Sequence, residues 1–219
     1  MNNTNSTTLP ANIDSIIYDL DGTLWDSVAV VAVGWNKVFH SFPKSSSVTV
    51  TEKDLRGLFG KTMEDIGHCL LDGLVPDEEQ PEILEACYPA EEEAIDANPP
   101  SPYEGVAESL RILSEKYKLF IVSNCQAGYI ECFLRNTGLE KYFTDHVCPG
   151  DTGNAKAANI RYMIEKHNLS SAIYVGDITS DCIASREAGV PFVHAAYGFG
   201  EVENPDAIIH CPMDLTKIL

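Results

Sequence analysis

Four short runs constrain this chain more than any other feature: SIIYDL at 15–20, LFIVSN at 119–124, AIYVGD at 172–177 and VPFVHA at 190–195. Each is apolar at successive positions and rich in Ile or Val, the pattern of strands that bury both faces. Helical patterns separate them, at VAESLRILSEKY (106–117), QAGYIECFLRNTG (126–138), AKAANIRYMIEKHN (155–168) and SDCIASREAG (180–189). Two of these end at Gly138 and Gly189, where C-terminal caps belong. Strands alternating with helices predict an α/β fold, a doubly wound Rossmann-like core in which the four runs are neighbouring parallel strands.

The alternation is interrupted between residues 26 and 100. Val28, Val31, Trp35, Val38, Phe39 and Phe42 recur at helical spacing, and the segments after them continue that period without a convincing strand. Pro99, Pro100 and Pro102 then force an extended return path. The expected organisation is a core from 1–25 and 101–219 with an all-helical insert at 26–100.

Composition narrows the partners. No apolar stretch approaches the length of a bilayer span, and the polar opening MNNTNSTTLPAN reads as a frayed lead-in rather than an export signal. The seven cysteines show no C-x-x-C spacing, which suits reduced thiols in a cytoplasmic protein. Acidic residues number 33 against 15 basic, a formal charge of −18 that repels nucleic acid and anionic membranes. An anionic small molecule would have to be met by local cations.

The stretch IIYDLDGTLWDS (16–27) shows where such a molecule could bind. Asp19 and Asp21 are two apart, so on an extended chain they share a face and repel unless something positive lies near. Open α/β sheets gather ligands beyond the carboxyl ends of their strands. Those ends here carry Asp19 and Asp21, Ser123 and Asn124, and Asp177 with Asp181, while Lys156 opens an intervening helix. Several carboxylates with one hydroxyl and one ammonium suit a hard cation such as magnesium, which completes its shell with water and phosphate oxygens.

D-x-D-G-T after the first strand, Ser-Asn after the second, a lone Lys, and G-D-x-x-x-D resemble, in order and spacing, the four motifs of the haloacid-dehalogenase-like hydrolase superfamily. The insert looks like that family's small helical cap. SPYEGVAESLRIL, GLFGKTMEDI (58–67) and YGFG (197–200) are similar to its phosphoglycolate-phosphatase-like branch. The resemblance implies a magnesium-dependent phosphatase acting on a small phosphorylated metabolite, phosphoglycolate-like or a sugar phosphate. Asp19 would be the nucleophile that forms an aspartyl-phosphate, and Asp21 the acid and base. Asp19, the Asp21 carbonyl and Asp177 would hold magnesium, with Asp181 as a further ligand. Ser123, Asn124 and the Leu20–Gly22 turn with Thr23 would hold phosphate oxygens, and Lys156 would neutralise charge. Beyond the motifs, Arg56 and Lys61 are basic residues of the cap that could meet a second anionic group of the substrate, with surface solvation the competing fate. A phosphomutase, a phosphonatase or a non-catalytic phosphate-binding protein are the alternatives; a dehalogenase would not need the acid that Asp21 supplies.

Plainer roles compete at several positions. Asp181, and likewise Asp26 or Ser27, could cap helices. Lys141 rivals Lys156, and Glu91, Glu92 and Glu93 read as a solvated helix face. The six histidines lack metal-ligand spacing. Hinges are expected near 25–27 and 99–102.

Overall fold

A computed structural model describes residues 9–219, so the first eight positions of the polar lead-in lie outside the described residues. The chain forms β1 (Ser15–Tyr18), then helices α1 (Val28–Ser41), α2 (Glu52–Arg56), α3 (Met63–Leu71), α4 (Gln80–Ala97) and α5 (Val106–Leu113). It continues through β2 (Lys118–Val122), α6 (Tyr129–Thr137), β3 (Asp145–Val147), α7 (Pro149–Thr152), α8 (Lys156–His167) and β4 (Ala172–Gly176). The last elements are α9 (Thr179–Glu187), β5 (Phe192–Ala195), β6 (Ala207–Ile209) and α10 (Leu215–Ile218).

The six strands make one sheet in the order β3-β2-β1-β4-β5-β6, with every pairing parallel. β1, β2, β4 and β5 fall on the four apolar runs. β3 and β6 have no counterpart in the sequence reading, because three residues each are too few to show a period.

Strand side chains alternate between two cores, as a period of two requires. Ile16, Tyr18, Leu119, Ile121, Ile173 and Val175 enter one cluster, where Val106 and Leu110 of α5 and Ile130 and Phe133 of α6 cover them. Ile17, Phe120, Val122, Tyr174 and Phe192 enter the other, under Ile160 and Met163 of α8 and Cys182 of α9. Both faces are buried, which is why the strands are apolar throughout. Gly138 closes α6 at φ +67, and Gly189 follows α9 at φ +76, both in the left-handed region.

Helices α1 to α4 interrupt the sequence between β1 and α5. Gly34 lets α1 run hard against α4, since a Cβ there would lie 2.6 Å from the Ala90 carbonyl oxygen. The chain leaves and returns side by side. Trp25 pairs with Pro102 in an antiparallel bridge, and the Tyr103 amide donates to the Leu24 carbonyl at 3.0 Å. Trp25 itself is fully buried, edge-on to Phe133 with ring centroids 5.0 Å apart.

Candidate active site

The carboxyl ends of β1, β2 and β4 lie side by side, so the residues that follow them meet. Asp19 is buried just past β1, its amide donating to the Val175 carbonyl of β4 at 2.8 Å. Lys156, the first residue of α8, reaches back to it. Its Nζ lies 2.9 Å from Asp19 Oδ1 and 2.6 Å from Asp181 Oδ1, with all three side chains buried. The other Asp181 oxygen accepts from the Asp177 and Ile178 amides at 3.1 and 3.3 Å. Asp181 therefore closes the start of α9 and pairs with the lysine at once. Asp177 Oδ2 accepts from the Phe199 amide at 2.7 Å, while Oδ1 is buried with no hydrogen-bond partner among the described residues.

One carboxylate oxygen each from Asp19, Asp177 and Asp181 lies within 4.8 Å of the others. Burial, reinforced by the Asp181 charge, pushes Asp19 up to about 6. Burial followed by the charges of Asp181 and Asp19 pushes Asp177 up to about 8. Burial also works against the Lys156 charge, but Asp181 and Asp19 outweigh it and hold the ammonium well above its ordinary pKa. Three acids against one ammonium, with an orphaned carboxylate oxygen, fit a divalent cation with oxygen ligands. Backbone presses on the same group. Gly22 has φ +82, and a Cβ there would sit 2.1 Å from Asp177 Oδ2; one at Gly198 would sit 2.4 Å from both Asp177 Cβ and the Gly22 carbonyl oxygen. Thus the YGFG segment folds over Asp177.

Asp21 faces elsewhere. Its Oδ1 accepts from the Ser27 hydroxyl at 2.6 Å and the Tyr129 hydroxyl at 3.1 Å, and those hydroxyls are 2.8 Å apart. Its carboxyl is no member of the acidic cluster, and burial, with the Asp19 charge adding, pushes it up to about 7. Ser27 makes no side-chain cap on α1; Asp26 accepts from the Val28 amide instead.

The expected phosphate contacts divide. Ser123 is buried and lines the same cavity as Asp19. The Asn124 side chain donates to the Gly60 carbonyl at 3.0 Å, tying the core to the insert. The Gly22 amide is already committed to the Trp25 carbonyl at 2.9 Å, which corrects its expected role, whereas the Leu20 and Asp21 amides make no hydrogen bond among the described residues. Leu20 and Thr23 are fully buried, and the Thr23 carbonyl accepts from the Tyr197 hydroxyl at 2.9 Å. Lys141 is exposed over the Tyr142 ring, and it is Lys156 that pairs with the acids.

A cavity of about 540 Å³ separates these strand ends from the insert, with Asp19, Asp21 and Ser123 on one wall and Trp35, Lys61 and Tyr88 on the other. Arg56 is not on it: it pairs with Asp26 and lies over the Phe199 ring. Of the two basic residues expected to meet substrate, the cavity receives Lys61 alone. A further correction concerns the acidic run. Glu93 is exposed, but Glu91 is buried on the cavity wall, where it accepts from Trp35 Nε1 at 2.7 Å and from the Gln126 side-chain amide. Tyr129, Gln126 and Glu91 carried no sequence signal beyond helical periodicity; Ser27 stood in the quoted first motif but read as a cap.

Residues 16–195 match the family described as haloacid dehalogenase-like hydrolase. The chain is 29% identical over 216 residues to a phosphoglycolate phosphatase of Agrobacterium fabrum, covering 93% of this chain and 91% of the relative. It is 30% identical over 207 residues to a phosphoglycolate phosphatase of Vibrio vulnificus, covering 87% of each. The fold matches the crystal structure of a predicted phosphoglycolate phosphatase from Haemophilus somnus with a TM-score of 0.83 and 22% identity, over 94% of this chain and 97% of that one. The protein belongs to the haloacid dehalogenase-like hydrolase family, among its phosphatases.

Proposed function

We propose that the protein is a magnesium-dependent phosphatase that hydrolyses a small phosphorylated metabolite through an aspartyl-phosphate on Asp19, with helices α1 to α4 as its cap. The observation that carries this reading is the buried Lys156 bridging Asp19 and Asp181 beside the orphaned oxygen of Asp177.

Asp19, Asp177 and Asp181, with the Asp21 carbonyl, would hold the cation, whose charge lets an anionic carboxylate approach an anionic phosphate. Asp19 supplies the oxygen that bonds to phosphorus as the ester oxygen leaves. Lys156 fixes the Asp19 carboxylate and supplies a positive charge that needs no reorganisation during transfer. Asp21, held by Ser27 and Tyr129, gives its proton to the departing alkoxide. It then takes a proton from the water that attacks phosphorus, which frees Asp19 and inorganic phosphate. A group with its pKa pushed up to about 7 suits both halves of that cycle.

The test is phosphate release from a panel of phosphorylated metabolites, with magnesium and after chelation, by the native chain and Asp19→Asn. Turnover that needs the metal and disappears in the variant is expected. Turnover that survives Asp19→Asn overturns the assignment of the nucleophile, and none on any ester overturns the phosphatase reading.

A further inference from the structure

The cavity wall facing Asp21 is apolar and aromatic, formed by Trp35, Phe59, Met63, Ile66 and Tyr88. A lysine and a glutamate from the cap interrupt it: Lys61, which is exposed, and Glu91, which is 4% exposed. A buried carboxyl is costly unless its partners satisfy it. Those of Glu91 are an indole N–H and a carboxamide N–H, both neutral, and the carboxyl lies on the cavity wall with acceptor capacity to spare. Burial first, then the nearby charge of Asp21, pushes Glu91 up to about 8. If its task were only to tie α4 to Trp35 and Gln126, a neutral acceptor would serve without facing a second acid.

Resting on the phosphatase reading above, we infer that Glu91 determines specificity by accepting a hydrogen bond from a hydroxyl or ammonium on the leaving group of the substrate. The substrate class is then a phosphomonoester of a small polyol or amino alcohol. Once Glu91 is ionised, a phosphorylated hydroxy acid would turn its carboxylate toward that charge between apolar walls, with Lys61 as the only basic cap residue on the cavity among those described. Glu91 and Asp21 line the same cavity, so the donor belongs on the leaving group that Asp21 protonates.

The experiment uses four esters that differ in one terminal group: 2-hydroxyethyl phosphate, phosphoethanolamine, phosphoglycolate and ethyl phosphate. Assayed at about pH 9, above the value to which burial pushes Glu91, the two donor-bearing esters are expected to exceed phosphoglycolate in kcat/KM in the native chain by about tenfold or more, well within what a site built to hydrogen-bond its substrate can reach. Glu91→Gln removes the charge and should bring that ratio down by about tenfold. Glu91→Asp, which withdraws the carboxyl by one methylene, should lower the ratio of 2-hydroxyethyl phosphate to ethyl phosphate, and serves if the first variant does not fold. Phosphoglycolate as the best of the four in the native chain, or ratios unmoved in a folded variant, overturns this inference and leaves the phosphatase standing. No turnover on any ester overturns both.

Discussion

Gly22 sets the tolerance of the acidic cluster. It combines φ +82 with a would-be Cβ 2.1 Å from Asp177, and neither can relax without moving the other. Gly22→Ala is therefore expected to cost about 2 kcal/mol or more in urea unfolding and to weaken magnesium affinity in a titration followed by melting temperature. Glu91 gives a second expectation at this scale. Its folded pKa of about 8 exceeds its ordinary 4.5, so the stability it contributes is complete below the lower value and is lost as pH rises toward the upper. The stability of the native chain relative to Glu91→Gln should fall across that window by up to about 1.4 kcal/mol per pH unit. A flat difference would show that Glu91 ionises as freely as in the unfolded chain. Asp19, Asp177, Asp181 and Lys156 could be picked out of the sequence because strand ends and helix starts put them on one edge. Glu91 could not: in a run of three glutamates only the packing of α1 against α4 decides which one points inward.

Among elements, α1 and α4 matter most to the cavity, because each contributes one partner of the Trp35–Glu91 bond. Their approach depends on Gly34, whose would-be Cβ meets backbone of α4 at Ala90 and Glu91. Gly34→Leu should force the helices apart, cost roughly 1–3 kcal/mol in thermal or chemical unfolding, and raise KM more than it lowers kcat. A fall in kcat with KM unchanged would place the damage in the strand-end chemistry instead. The long elements were legible from periodicity. β3 and β6 were not, since a three-residue strand takes its identity from the neighbour it pairs with, β2 or β5, and not from a pattern of its own.

For the whole molecule, the formal charge of −18 opposes any dianionic ester over distances set by salt. Screening shortens that reach from about 30 Å at about 10 mM salt to about 8 Å at about 150 mM. At fixed free magnesium, kcat/KM for a phosphate ester should rise across that range; a fall would mean that Lys61 and Lys156 dominate the approach. The Trp25–Pro102 bridge bears on a different property, descent. Because the inserted segment departs and rejoins through one hydrogen-bonded doorway at the rim of the sheet, its length and contents can be exchanged without re-registering a single strand. Lineages sharing this sheet are free to keep the strand-end acids while trading the helices across the cavity from them.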